Sequence, residues 1–245
     1  MKLRPLFWPT IVALPALIVL LWLGTWQVQR LEWKNQLIED FESRANAAPI
    51  DLPLGVVDRD MEFRRLGLTG RFDHTKEVFM TGRTYEGNAG FHIVTPFTLD
   101  DGRMILVNRG WVSESYRDPA KRSFTLFEGE TQLEAIIRFP NKKGYFVPEN
   151  DPENGFWFTL VPAQLVSHLQ LAGQAETAIY AAALRTSDEI RLPIGARTET
   201  NLRNSHLGYA ITWYGIACAL IGVYLAFHFQ AGRLTIGAWG RDPEA

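Results

Sequence analysis

The chain has 245 residues, a formal net charge of -2 and a single cysteine. That charge gives no reason to expect a nucleic-acid partner, and one thiol excludes both a disulfide framework and redox chemistry by paired thiols. A mean hydropathy of -0.08 conceals strong segregation, because two very apolar ends flank a polar middle.

The first apolar run, residues 6–26, carries no charge and is bracketed by Arg4 and Arg30. Lys2 and Arg4 resemble the basic start of a signal peptide, but the run is too long for one and Gly24-Thr25-Trp26-Gln27 is no small-residue cleavage site. An uncleaved transmembrane helix over 6–28 is the better reading, and a span tolerates Pro9 and Pro15. Trp26, Arg30, Trp33 and Lys34 then crowd the expected interface, where indoles and long cations are favoured. The helix is expected to continue, with Trp33, Leu37 and Phe41 forming an apolar stripe against the following domain. Ala47, Ala48, Pro49 and Pro53 end it in a linker.

The middle, 29–203, reads as one mostly antiparallel β domain of α+β type, a barrel or sandwich with a few helices. Strands are expected at 64–72, 77–81, 90–99, 103–112, 132–139, 155–160 and 177–185, with an Asp101-Gly102 hairpin turn and a short helix at 162–171. The length suffices for one hydrophobic core. Catalytic signatures are missing: there is no G-x-S-x-G, H-E-x-x-H, Walker loop or G-x-G-x-x-G, so the chain is not expected to be an enzyme. His74, His92 and His168 stand at no metal-binding spacing, and 149–154 reads as a solvated acidic turn. In 106–112, strand alternation puts Val107, Arg109 and Trp111 on one face and Asn108 and Gly110 on the other. Arg109 is suited to a carboxylate ligand, but pairing with an acid of a neighbouring strand is the favoured reading. His92 reads as a satisfied strand residue.

A second transmembrane helix is expected at 206–229, followed by a tail at 230–245; no Asp, Glu, Lys or Arg lies between Arg203 and Arg233. At helical spacing His206, Trp213, Ala217, Leu220 and Tyr224 share one face, and Gly208, Gly215 and Gly222 the opposite one. The glycines offer a smooth groove to a neighbouring helix. An ionisable group at a membrane boundary marks a functional site, which singles out His206. His228, at the far end, reads as an interfacial residue. Cys218 sits mid-membrane, and the scarcity of Cys and Met disfavours a copper site. Lys2 and Arg4 before the first span, with Arg233 and Arg241 after the second, predict cytoplasmic termini and a central domain on the outer side. The lack of an Arg- and Ser-rich transit segment favours a bacterial inner membrane and hence a periplasmic domain.

Four segments, in order, match one known pattern. Gly24-Thr-Trp-Gln-Val-Gln-Arg30 with Trp33-Lys34, Gly90-Phe-His-Ile-Val-Thr-Pro96, Val107-Asn-Arg-Gly-Trp111 and Asn204-Ser-His-Leu-Gly-Tyr-Ala-Ile-Thr-Trp-Tyr214 together resemble the Surfeit locus 1 family. One departure is Val161, where the family would carry an Asp after the aromatics of 156–158. The resemblance implies an assembly factor for haem-copper cytochrome c oxidase that binds haem a and assists its insertion into subunit I. The implied iron ligand is His206, with Trp213 and Tyr209 along the porphyrin and Arg203 placed to neutralise a propionate. Haem a synthase is a further implied partner, besides the bilayer itself. The alternative is a cofactor-free membrane chaperone that stabilises subunit I during assembly.

Overall fold

The computed structural model describes residues 2–185, 192–197 and 205–235. In chain order the elements are β1 (Lys2–Leu3), α1 (Phe7–Ala45), β2 (Arg65–Phe72), β3 (Val78–Tyr85), β4 (Asn88–Leu99), β5 (Met104–Ser113), β6 (Thr131–Arg138), α2 (Pro162–His168), β7 (Tyr180–Ala183), α3 (His206–Gln230) and β8 (Leu234–Thr235). They form two compact units, Met1–Glu39 with Asn201–Ala245, and Asp40–Thr200.

In the first unit, α1 and α3 are both long and apolar enough to cross a bilayer. Trp8, Val12, Ile18 and Trp22 on α1, and Leu207, Ile211 and Val223 on α3, are exposed rather than packed, as a lipid-facing surface requires and a soluble core helix would not allow. A spanning segment must satisfy its backbone internally, which an unbroken helix does. Pro9 falls in the first turn of α1, and Pro15 lies inside the helix without ending it. Arg30 lies 3.9 Å over the ring of Trp33, a cation stacked on an indole just past the apolar stretch. β1 and β8 pair antiparallel, joining the chain just before α1 to the chain just after α3; the sequence offered no sign of this short ladder.

In the second unit, six strands are ordered β2-β6-β7-β5-β4-β3, and β2 also pairs with β4. The ring β2-β6-β7-β5-β4 is thereby closed, a small barrel with β3 added along β4. All pairings are antiparallel except β5 with β7. Leu66, Leu68, Phe97, Ile105, Val107, Ile137 and Ala181 form one core cluster. Val78, Met80, Val94, Leu106, Ile136, Trp157 and Leu165 form a second across the strands, which α2 helps to cover. Adjacent residues Ile105, Leu106 and Val107 are therefore all buried, each strand face having its own cover.

Two expectations need correction. Residues 155–160 are not a strand: only isolated bridges form, Asp151 to Phe156 and Met80 to Trp157. β3 does not stop at Thr81; a bulge between Met80 and Arg83 absorbs Gly82, and pairing resumes to Tyr85. Within the second unit, Phe41 meets Phe63 edge-on at 4.8 Å.

Closure depends on Gly70, where β2 changes partners: it is paired with Thr131 of β6 and with Leu99 of β4. A Cβ there would sit 2.1 Å from the carbonyl oxygen of Thr98, and backbone cannot move aside cheaply. Gly70→Ala is expected to cost about 3 kcal/mol or more by overpacking. Denaturant unfolding of the full chain in detergent measures it; an unchanged midpoint would contradict this account of closure.

Candidate functional site

Polar groups on α1 and α3 meet in pairs. His206 Nδ1 is 2.7 Å from Gln27 Oε1. The Tyr214 hydroxyl is 3.1 Å from Thr25 Oγ1, and the Tyr224 hydroxyl 2.6 Å from Thr10 Oγ1. At the other end, His228 Nε2 accepts from the Leu6 backbone N–H at 3.0 Å. These pairs run antiparallel along the helices, and Gly24 gives Tyr214 room: a Cβ at residue 24 would lie 2.8 Å from its ring. The face carrying His206, Tyr224 and buried Ala217 is thus the face that packs on α1. Cβ atoms built at Gly208, Gly215 and Gly222 meet nothing within 4 Å, so the glycine face is not the groove for α1. His228, at the far end of α3, belongs to the same packing. It is fully buried, donates from Nδ1 to the Tyr224 carbonyl at 2.8 Å, and caps the entry to α1.

The Gln27 contact decides what His206 can do. An amide oxygen only accepts, so with Oε1 facing the ring Nδ1 is the donor, and in the neutral imidazole Nε2 then carries the lone pair. A metal-ligating histidine needs this arrangement: one nitrogen donating to an oriented acceptor, the other free for the metal. The half-buried imidazole therefore fits a haem iron ligand. Trp213, on the same helix seven residues on, lies roughly 10 Å along the axis and makes no contact with His206. Tyr209 is 57% exposed, and its hydroxyl makes no hydrogen bond among the described residues. Arg203 lies outside the described residues. Gln27 was not singled out from the sequence. Its signal was a polar residue on a span, inside the Gly-x-Trp-Gln motif, and it is 9% exposed.

The domain holds a different charged constellation. Glu77 Oε1 accepts from Arg109 Nη1 at 2.8 Å, and Oε2 from Arg122 Nη2 at 2.5 Å. Arg122 is fully buried and also donates from Nε to the Tyr116 carbonyl. Arg109 also donates to the Thr125 carbonyl and to His74 Nδ1, while His74 Nε2 reaches the Phe127 carbonyl. Burial pushes the Glu77 carboxyl up, but hydrogen bonding and charge from Arg122, with Arg109, outweigh it and hold it below the ordinary range. Burial, then the charge of Arg109, pushes His74 down, keeping it neutral. Each carboxylate oxygen is engaged, so Glu77 is a poor proton acceptor and the cluster reads as an electrostatic clasp tying β3, β5 and the 119–125 segment. Arg109 thus pairs with an acid, as favoured from the sequence, but one just before β3, which β4 separates from β5, rather than one on a neighbouring strand.

Trp111 does not share a face with Arg109. The register steps from Ile93 opposite Gly110 to Val94 opposite Asn108, so Arg109 is the extra residue of a bulge, with Gly110 at φ +117°. Beyond it the alternation is reversed: Trp111 lines the same small cavity as Asn108 and His92. Asn108 Nδ2 lies 3.1 Å from His92 Nδ1. Burial, helped by the charge of Arg83, lowers the His92 pKa to about 4. Among the described residues, no group of three or more His, Cys, Asp or Glu is arranged to hold a metal ion.

A family model described as the SURF1 family matches residues 14–218. Surfeit locus protein 1 of Homo sapiens is 39% identical over 214 residues, covering 80% of this chain and 70% of its own. The protein of the same name from Mus musculus is 37% identical over 213 residues, covering 80% and 68% respectively. A SURF1-like protein of Monosiga brevicollis is 33% identical over 240 residues, covering 93% and 89%. The matched span contains Gln27, the Glu77 clasp and His206.

The clasp makes acid stability testable. A depressed carboxyl contributes stability that is present above about pH 4.5 and lost as pH falls through the folded value. Glu77→Gln leaves two buried guanidinium groups without a counter-charge, an expected loss of about 3–5 kcal/mol at neutral pH. The variant should also lack the clasp's share of the decline below about pH 4.5. Unfolding midpoints of both proteins from pH 3 to 7 measure this; parallel curves would rule out the clasp.

Proposed function

The chain belongs to the SURF1 family, and on that premise we propose that it is an assembly factor for haem-copper cytochrome c oxidase that binds haem a and assists its insertion into subunit I. The observation that carries the haem reading is the hydrogen bond from His206 Nδ1 to Gln27, which leaves Nε2 free as an axial ligand. In this reading His206 would hold the iron, Gln27 would orient the imidazole, and Tyr209 and Trp213 would contribute to binding the haem. Arg203 neutralises a propionate. Haem a bound there supplies a cargo whose iron is held by one protein nitrogen. The protein's own residues bind and orient it and release it to the client, and none is asked to perform catalysis.

The membrane setting of the proposal is a bacterial inner membrane, with both termini cytoplasmic and the β domain periplasmic. Lys2, Arg4 and Arg233 beside the spans support that orientation. Haem a synthase is the natural supplier of the cargo. A second reading, a cofactor-free chaperone that stabilises subunit I, draws its support from the open face of Gly208, Gly215 and Gly222, where a client helix can approach closely.

The full chain co-expressed with haem a synthesis and purified in detergent should carry stoichiometric haem with a His-ligated optical spectrum. His206→Ala should remain membrane-inserted and lose that spectrum. Gln27→Leu should weaken haem affinity about 10–100-fold, as loss of an orienting partner does. Protein that purifies without haem supports the chaperone reading, and an unchanged spectrum in His206→Ala would overturn His206 as ligand.

A further inference from the structure

We propose that the β domain carries a second binding site, for an anionic head on an apolar body: a cleft of about 400 Å³ between β3 and the 141–148 loop that accepts an anionic phospholipid. The site lies wholly within the domain and does not depend on the haem reading. Its polar lining includes Arg83, Asn141, Lys142, Lys143, Thr159 and Tyr180.

The charges there are only partly compensated. Arg83 is held by donating from Nη2 to the Phe158 carbonyl at 2.9 Å, which fixes the guanidinium and leaves other N–H groups to donate. Lys143 pairs with Glu149, whereas Lys142 and Arg83 have no carboxylate partner among the described residues. Two positive charges beside one cleft therefore lack a counter-ion.

A second, independent observation points the same way. Tyr180 lines the cleft at 9% exposure, yet its hydroxyl makes no hydrogen bond among the described residues. That hydroxyl is not among the enclosed polar atoms without a partner, so it is open to the cleft, and beside two cations it is a donor within reach of an acceptor. Burial raises the pKa of that hydroxyl, which keeps its proton in place. An oxyanion received by Arg83, Lys142 and Tyr180 satisfies all three at once.

The lip of the cleft selects what the anion is attached to. Tyr145 and Phe146 are 94% and 92% exposed, packed edge-on at 5.0 Å beside the two lysines. Adjacent exposed aromatics next to cations are the combination favoured at the headgroup level of a bilayer, the aromatics meeting acyl chain and the cations phosphate. A free phosphate would use the charges and leave the rings without a role.

The test uses the full chain in uncharged detergent, titrated calorimetrically with short-chain phosphatidylglycerol, with the matching phosphatidylcholine, and with inorganic phosphate. Phosphatidylglycerol should bind saturably at one site, at least tenfold more tightly than either comparator. Lys142→Glu and Tyr180→Phe should each weaken it by roughly tenfold, the scale of one charge-assisted hydrogen bond. Lys142 is exposed, so its variant should keep the parental unfolding midpoint. Equal binding of the two lipids, or variants that bind like the parent, would overturn the proposal. Phosphate binding as tightly as phosphatidylglycerol would overturn it too, by leaving the apolar lip without a part.

Discussion

The hydrogen bond between Gln27 and His206 expresses the constraint that orders the helical unit: where water is absent, a polar group must find its partner within the protein. Four such pairs run along α1 and α3, and each joins a residue from one end of the chain to one from the other. Apolar packing alone leaves two lipid-facing helices free to slide and rotate, since lipid is as good a neighbour as leucine. Directional bonds at fixed levels remove that freedom. His206 inherits a single ring orientation and a single tautomer from this arrangement, and those two properties determine which of its nitrogens can be a ligand.

The β domain obeys the same rule with charges. Glu77, Arg109 and Arg122 are all nearly removed from water, and each is tolerable only because the others are there. The bulge at Arg109 sends that side chain toward Glu77 and returns Trp111 to the opposite side, beside His92 and Asn108. Ring closure at Gly70 then ties β2 to β4 as well as to β6, leaving few unpaired strand edges. The clasp and the closure serve shape, holding charge and strand edges in place.

Much of the architecture was legible because it rests on periodicity. Long uncharged runs marked both spans, and strand patterns with turn residues located β2, β4, β5 and β6 closely. Failures arose where a local signal has two meanings. Gly82 looked like a strand end and is a bulge. The aromatics of 156–158 looked like a strand and bridge β3 at Trp157 alone. Bulges defeat alternation because one extra residue reverses every side chain beyond it, which is how Trp111 came to be assigned to the wrong face. The burial of His228 is not legible in the sequence because its partner, the Leu6 backbone N–H, belongs to the opposite end of the chain and leaves no mark on neighbouring residues.

The sequence by itself determined the family, the two terminal spans, the β-rich middle and His206 as the residue to watch, because these depend on composition, period and motif. Only the tertiary structure decided that the imidazole-bearing face turns toward α1, that Nδ1 donates to Gln27 and leaves Nε2 as the other nitrogen, and that the glycine face stays open. Which side of a helix meets its neighbour, and which nitrogen keeps its lone pair, are settled by contacts between residues far apart in the chain. Helical period ranks faces by character, but the partner's own polar groups choose among them.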